Sequence, residues 1–305
     1  MKRIFLLIAT NFAVLFLLSL VMQVFGIDDW LARRGMDYQS ALVIAAIFGF
    51  GGAFVSLLLS KTMAKMAMGV QVIQQPAGET ERWLVNAVQL HAQKAGIGMP
   101  EVGIFDSPEP NAFATGASRN SALVAVSTGL LRNMRREEVE AVLGHEVSHV
   151  ANGDMVTLTL LQGVLNTFVI FLARVIGGLV DGATRGNDDG RSQTSGTGMG
   201  YFFTVMIAQM VLGLFASMIV AWFSRRREFR ADEGGADLAG TSSMIGALEA
   251  LKRVHSPSRL PESLAAFGIN GQRAKALQKL FMSHPPLDER IAALEQRTAA
   301  LGRRS

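Results

Sequence analysis

Hydrophobic residues in this chain are gathered into four long runs. Residues 4–22 are broken only by Thr10, Asn11 and Ser19. Residues 41–59 are rich in Gly and Phe, residues 156–180 contain one charge, Arg174, and residues 201–223 carry only Gln209 as a strongly polar side chain. Each run is long enough to cross a hydrocarbon layer of about 30 Å as a helix. Between the second and third runs the pattern changes. Trp83, Leu84, Ala87, Val88 and His91 recur at helical spacing. Within residues 101–130, two short strands are predicted, at 101–105 and 121–126, separated by a Pro-rich turn and by Arg119-Asn120. A helix follows: Val139, Val142, Leu143 and Val150 share a face, Glu137 and Glu138 suit its positive end, and Asn152-Gly153 ends it. Residues 181–200, rich in Gly, Ser, Thr and Asp, predict a mobile loop.

Composition agrees with a bilayer. Of 305 residues, 50% are hydrophobic, too many for an ordinary soluble domain. The first run follows Lys2 and Arg3, as a signal peptide would. It is longer than a usual signal core, and Val24-Phe25-Gly26-Ile27 offers no small-residue cleavage site, so we read it as a retained anchor. Lys2, Arg3, Lys61, Lys65 and the cluster Arg225, Arg226, Arg227 and Arg230 flank the runs on one side. Six Asp offset four Arg in residues 25–40 and 181–200. The positive-inside rule then places both termini, residues 61–155 and everything after 224 in the cytoplasm. Runs three and four could also form a hairpin that is only partly inserted. The net charge of +4 is not arranged as a basic stripe with aromatics, which argues against nucleic-acid binding. There is no cysteine, so a metal site must use His and carboxylates.

Such a site is suggested by His145-Glu146-Val147-Ser148-His149. Residues i and i+4 of a helix share a face, so both imidazoles can reach one ion, and Glu146 sits beside them as a general base. Two His and a Glu among valines are costly to bury without partners, and a metal supplies partners. A catalytic zinc needs a third protein ligand and an open position. Directly after the fourth run, Glu228 and Asp232 lie at i and i+4. Glu228 could ligate zinc while Asp232 holds the N–H of a ligand His. The same two acids could instead pair with the neighbouring arginines on a solvated helix.

The chain resembles the HtpX family of bacterial membrane-bound zinc metalloproteases, relatives of the CAAX prenyl proteases. The resemblance runs over essentially the whole length. It is carried by Asn111-Ala112-Phe113-Ala114-Thr115-Gly116, by residues 144–154 around the two His, by Arg226-Arg227-Glu228-Phe229-Arg230-Ala231-Asp232, and by Ser283-His284-Pro285-Pro286-Leu287-Asp288-Glu289-Arg290. It implies Glu228 as third ligand beside His145 and His149, with one Zn²⁺ per chain. It implies a substrate-binding strand at Asn111, Ala112, Phe113 and Ala114. By similarity to related metalloproteases, His284 donates a hydrogen bond to the developing oxyanion; the plainer reading is that it caps the helix opened by Pro285-Pro286. Arg290 would tie that helix to the body. His91 and His255 read as structural or exposed, and the Met63, Met66, Met68 group as membrane-proximal packing.

The expected protein is therefore a mostly α integral membrane protein with four transmembrane helices and an α+β cytoplasmic zinc-metalloprotease domain containing a small β-sheet. Residues 1–60 hold two spans, 61–155 the strands and zinc helix, 156–223 a transmembrane or partly inserted hairpin, and 224–305 a cytoplasmic helical segment with the third ligand. The resemblance further implies cleavage of misfolded or damaged membrane proteins from the cytoplasmic side of the inner membrane during envelope stress, with functional overlap with other membrane proteases. The substrates would be membrane proteins or unfolded polypeptides. No Gly-x-x-x-x-Gly-Lys-Ser/Thr motif is present to power unfolding. A site-specific processing protease and a non-catalytic scaffold with a structural metal are the competing readings.

Overall fold

The computed structural model describes residues 38–185, 199–254 and 282–302. The run at 4–22, most of the loop at 181–200, and His255 lie outside the described residues. Three helical stretches are long and apolar enough to cross a membrane: Gln39–Met68, Asp154–Ala183 and Gly200–Ala239. The chain divides into two compact units, one formed by Met1–Ser56 with Thr159–Val220, the other by Leu57–Leu158 with Ala221–Ser305.

In the first unit, α1 (Tyr38–Ala46) passes through a π-helical turn at Ile47–Gly51 into α2 (Gly52–Met68). It packs on α6 (Asp154–Arg185), which is accompanied by α7 (Met199–Ala239). Glycines set how closely these helices approach. A Cβ on Gly49 would stand 2.4 Å from Thr167 Oγ1 and 2.6 Å from its backbone nitrogen. One on Gly177 would stand 2.4 Å from Val205. Val43, Ile47, Phe48, Phe202, Ile207 and Phe215 all face outward, an apolar surface suited to lipid.

The second unit is built on a four-stranded sheet in the order β1-β2-β4-β3. Its strands are β1 (Gln71–Val72), β2 (Glu101–Phe105), β3 (Ala112–Ser118) and β4 (Ser121–Ser127). β4 runs parallel to β2 and antiparallel to β3. It is central, and its residues from Ala122 onward are buried, which explains its unbroken apolar sequence. Sequence reading expected strands at 101–105 and 121–126 and, from the resemblance, an extended strand at 111–114; that last segment lies in and just before β3. The segment from Asn111 to Gly116 is Ala- and Thr-rich, without the bulky alternation that marks a strand. It is extended because it pairs along the whole of β4.

Ser127 fixes the end of this hairpin. Its Oγ accepts from the backbone N–H groups of Asn111 and Leu130, both at 2.9 Å, and donates to the Glu109 carbonyl at 2.8 Å. It thus caps α4 (Thr128–Asn133) and anchors the start of β3 at once. The sheet and α4 pack against α5 (Arg136–Asn152), whose Val139, Leu143 and Val147 are buried. Glu138 opens α5 by accepting from the Arg135 backbone N–H at 2.8 Å and from its guanidinium. α8 (Thr241–Val254) and α9 (Leu287–Gly302) complete the core through Met244, Leu248 and Leu294.

α3 (Glu79–Lys94) braces α5 through Arg136, which donates to Glu79 at 2.6 Å, and through Glu140. Trp83 Nε1 donates to its carboxylate at 2.7 Å, and His91 Nε2 lies 3.0 Å from its carbonyl. His91 is 3% exposed and its Nδ1 has no partner. Burial pushes its pKa below the usual imidazole value, so it is neutral in the folded protein.

Two outcomes are expected. Gly49→Ala should destabilise the protein in detergent by about 1–3 kcal/mol, whereas Gly51→Ala, where nothing lies within 4 Å, should not. Thermal midpoints of the two variants read this directly. Because the folded pKa of His91 lies below its unfolded value of about 6.5, its contribution is fully present above that pH and falls as pH drops through it. Melting between pH 7.5 and 5 should show this loss, and His91→Phe should reduce it.

Candidate active site

α5 places His145 and His149 on one face, one turn apart, with Glu146 beside them. Gly153, with φ of 65°, ends α5 in the left-handed conformation and turns the chain so that Asp154 begins α6. Asp154 Oδ2 then lies 2.7 Å from His149 Nδ1. From α7, Asp232 Oδ1 lies 2.9 Å from His145 Nδ1. A carboxylate can only accept, so each Nδ1 carries a proton, which leaves Nε2 as the nitrogen each ring can offer to a cation once any second proton has left.

Those nitrogens converge. The two Nε2 atoms are 3.1 Å apart. Glu228 Oε1 is 3.3 Å from the Nε2 of His149, and its Oε2 is 3.6 Å from that of His145. A tetrahedral zinc with bonds of about 2.0–2.1 Å would separate its ligand atoms by about 3.3 Å. Three acceptors at that spacing, mostly removed from water, fit a cation between them. Electrostatics point the same way. Burial alone would lower the pKa of His149. Its carboxylate contacts with Asp154 and Glu228 outweigh that and carry it up to about 10. His145 is raised against burial by Asp232 and Glu228. The site attracts positive charge.

Glycines let α7 come so near. Cβ atoms on Gly234 and Gly235 would lie 2.4 Å from Ser148 Oγ and 3.1 Å from the His145 nitrogen, and Gly144 faces Gly235 across the seam. Each mid-helix Gly costs about 0.5–1 kcal/mol relative to Ala. Here they allow nearly backbone-to-backbone contact, which puts the short acid Asp232 within reach of His145. Arg227 adds a second tie, donating from Nη1 to the Asp154 carbonyl at 2.9 Å.

Arg290 of α9 is 6% exposed and forms a two-pronged pair with Asp232, its Nε donating at 2.7 Å. Its Nη1 is 3.4 Å from Glu228 Oε2. It ties α9 to the body, as expected, and does so at the ligand cluster itself. His284 Nδ1 is 2.7 Å from Glu228 Oε2. Its segment is held to α7 where Arg225 donates to the Met282 carbonyl at 2.7 Å. Pro286 accepts from the first turn of α9, so the helix start lies just beyond His284.

A cavity of about 450 Å³ opens over these groups, lined by His145, Glu146, Glu228 and His284 and, on the β3 side, by Asn111 and Ala112. The four residues of the expected substrate strand therefore divide. Asn111, just before the strand, and Ala112 reach the cleft; Ala114 packs on the core, and Phe113 sets its ring 5.6 Å from that of Phe105. Among the described residues β3 pairs with β4 alone. Met63, Met66 and Met68 lie exposed on α2, and no metal group forms there among the described residues. Asp154 is the functional-site residue that sequence reasoning passed over. Its signal was an acid directly behind a helix-ending Gly, five residues after a His.

Residues 78–298 match Peptidase family M48. The chain is 58% identical over 297 residues to Protease HtpX of Thioalkalivibrio sulfidiphilus, covering 97% of this chain and 99% of that protein. It is 60% identical over 293 residues to Protease HtpX of Xanthomonas campestris pv. campestris, covering 96% and 97%. In structure it is similar to the crystal structure of S. mikatae Ste24p, with a TM-score of 0.60 at 17% identity, covering 94% of this chain and 66% of that one.

Asp154→Ala should weaken metal affinity about 10- to 100-fold by freeing the His149 ring. Competition with a chromogenic chelator measures it, and Asp232→Ala should behave alike.

Proposed function

The chain belongs to peptidase family M48, a metalloprotease family, and we propose that it is a zinc endopeptidase cutting loosely folded parts of membrane proteins at the cytoplasmic face of the bacterial inner membrane. The observation that carries this reading is the convergence of His145, His149 and Glu228 within 4.8 Å, beside Glu146, in one cleft. These three residues would hold one Zn²⁺ per chain. Bound there, zinc supplies Lewis acidity to the attacking water and the scissile carbonyl. Glu146 takes a proton from that water and returns it to the leaving amine. Asp154 and Asp232 keep the two imidazoles oriented. The Nδ1–H of His284, now directed at Glu228, serves the carbonyl oxygen as negative charge develops on it. Substrate lies along β3 from Asn111 as an added strand.

Backbone pairing of that kind suits a quality-control enzyme, because it asks for an extended segment and not for a sequence. The absence of an ATPase motif agrees, since substrates must then offer segments already loose. The relatives named Protease HtpX and the apolar helices support a bilayer setting. The Lys and Arg distribution supports a cytoplasmic site and cytoplasmic termini.

Purified in detergent, the unaltered protein should bind about one zinc per chain and cleave an unfolded polypeptide. Glu146→Gln should keep its zinc and lose at least about 10²- to 10⁴-fold in turnover. Glu228→Ala should lose the metal. Undiminished hydrolysis by Glu146→Gln would remove the assigned base, and full zinc content in Glu228→Ala would remove the assigned ligand.

A further inference from the structure

Arg174 is the single charged side chain in the four apolar runs, and none of those runs contains an Asp or Glu. An arginine in a spanning helix usually extends toward the nearer interface. This one turns back. Its Nη1 donates to the Ile170 carbonyl at 3.3 Å, one turn earlier along α6. At 1.5 Å per residue, Ile170 lies about 21 Å from Val156 and about 15 Å from Val180, the ends of the apolar run. The guanidinium is therefore held near mid-depth of a hydrocarbon layer about 30 Å thick.

It does not sit against a closed wall. A hollow of about 410 Å³ is lined by Phe48, Asn166, Val169, Ile170, Arg174 and Gln209. Phe48 is contributed by the π-helical turn at Ile47–Gly51, a distortion frequent at functional sites. Asn166 and Gln209 bring amide donors to the same hollow. Of the five guanidinium donors, the one hydrogen bond recorded goes to a carbonyl of its own helix, and no acid pairs with Arg174 among the described residues. A second copy of the chain could not supply a partner from within the membrane, because its runs contain no acid either. A lipid phosphate lies at the interface, away from where the side chain points.

We propose that this hollow is a docking site for a carboxylate in the membrane-spanning segment of a substrate protein. Arg174 supplies the charge, and Asn166 and Gln209 satisfy the remaining oxygen lone pairs. Acids within spanning helices normally pair inside their own bundle or complex. A subunit that has lost its partners presents one unpaired, so the hollow would recognise failure to assemble. The inference rests on the membrane placement and substrate class proposed above, and its test does not require cleavage.

The full-length Glu146→Gln protein is reconstituted in phosphatidylcholine vesicles with a fluorescent single-span peptide carrying Glu, Gln or Leu at its centre. Energy transfer to a label on the protein reports association. The Glu peptide should bind about 5- to 10-fold more tightly than the Leu peptide. Replacing Arg174 by Gln in that protein should abolish the difference, and Arg174→Glu should transfer it to a central-Lys peptide. Cleavage of a soluble unfolded substrate by otherwise unaltered Arg174→Gln should stay unchanged, which shows that the variant folds. Equal binding of the Glu and Leu peptides, or a Glu preference that survives Arg174→Gln, overturns the proposal. So does Arg174-dependent capture of a labelled phosphatidylglycerol with no preference among peptides, which would identify a lipid site. If nothing is cleaved yet the Glu preference depends on Arg174, the protease reading fails and this one stands.

Discussion

Everything at the centre of the second unit depends on which nitrogen of two imidazoles carries a proton. Asp154 and Asp232 decide it by accepting from both Nδ1 atoms. With those hydrogen bonds in place, two Nε2 atoms and a Glu228 carboxylate must face one another with little water to separate them. Like-signed partial charges at such distances repel strongly in a low-dielectric interior. A proton on His149 eases that repulsion, which is why its pKa is raised, and a dication taking that proton's place would do the same. Arg290 moderates the acid excess without approaching the imidazole lone pairs as a ligand would, because its fork is committed to Asp232.

Orientation of that kind needs a rigid frame, and the frame is supplied by parts remote in sequence. α5 contributes two imidazoles and Glu146, α7 the Glu228 carboxylate and the Asp232 clamp, the first residue of α6 the other clamp, and α9 the arginine. Small residues on α5 and α7 remove the side-chain layer that normally keeps helices about 8–10 Å apart. The carboxylates can then be short, and short side chains have few rotamers to lose. On the other side, Glu140 accepts from both Trp83 and His91, so α3 holds the outer face of α5 while α7 holds the inner one.

Much of this was legible in the chain. The i, i+4 pair of His and its helix boundaries follow from periodicity and from a glycine that must adopt positive φ. The apolar runs at 41–59, 156–180 and 201–223 correspond to long apolar helices. Other parts were not legible, for physical reasons. β3 was legible through the resemblance and not through its own pattern, which lacks the bulky alternation of a half-buried strand; its conformation is dictated by pairing with β4. Glu228 and Asp232 sit among arginines, so local charge pattern alone could not separate a salt-bridged face from a ligand pair; only the fold decides which partners are near. Asp154 was hidden because its role depends on a turn that periodicity does not encode. Gly234 and Gly235 take their meaning from the opposing helix, which no local pattern in the chain reveals. His91, without any motif, is a buried strut.

The exposed side of β3 has a kinetic meaning. A polypeptide can lie beside Asn111 and Ala112 only while its own N–H and C=O groups are unoccupied by helix or sheet. For a folded protein, that condition holds for a small fraction of time set by the free energy of local opening. When opening and reclosing are fast relative to hydrolysis, the rate of cutting is proportional to that fraction. About 1.4 kcal/mol of lost local stability would then raise the rate tenfold. Under the function proposed above, a strand edge beside a metal would work as a gauge of thermodynamic wear: its output would rise exponentially as a target loosens, with no sequence to recognise and no fuel to spend.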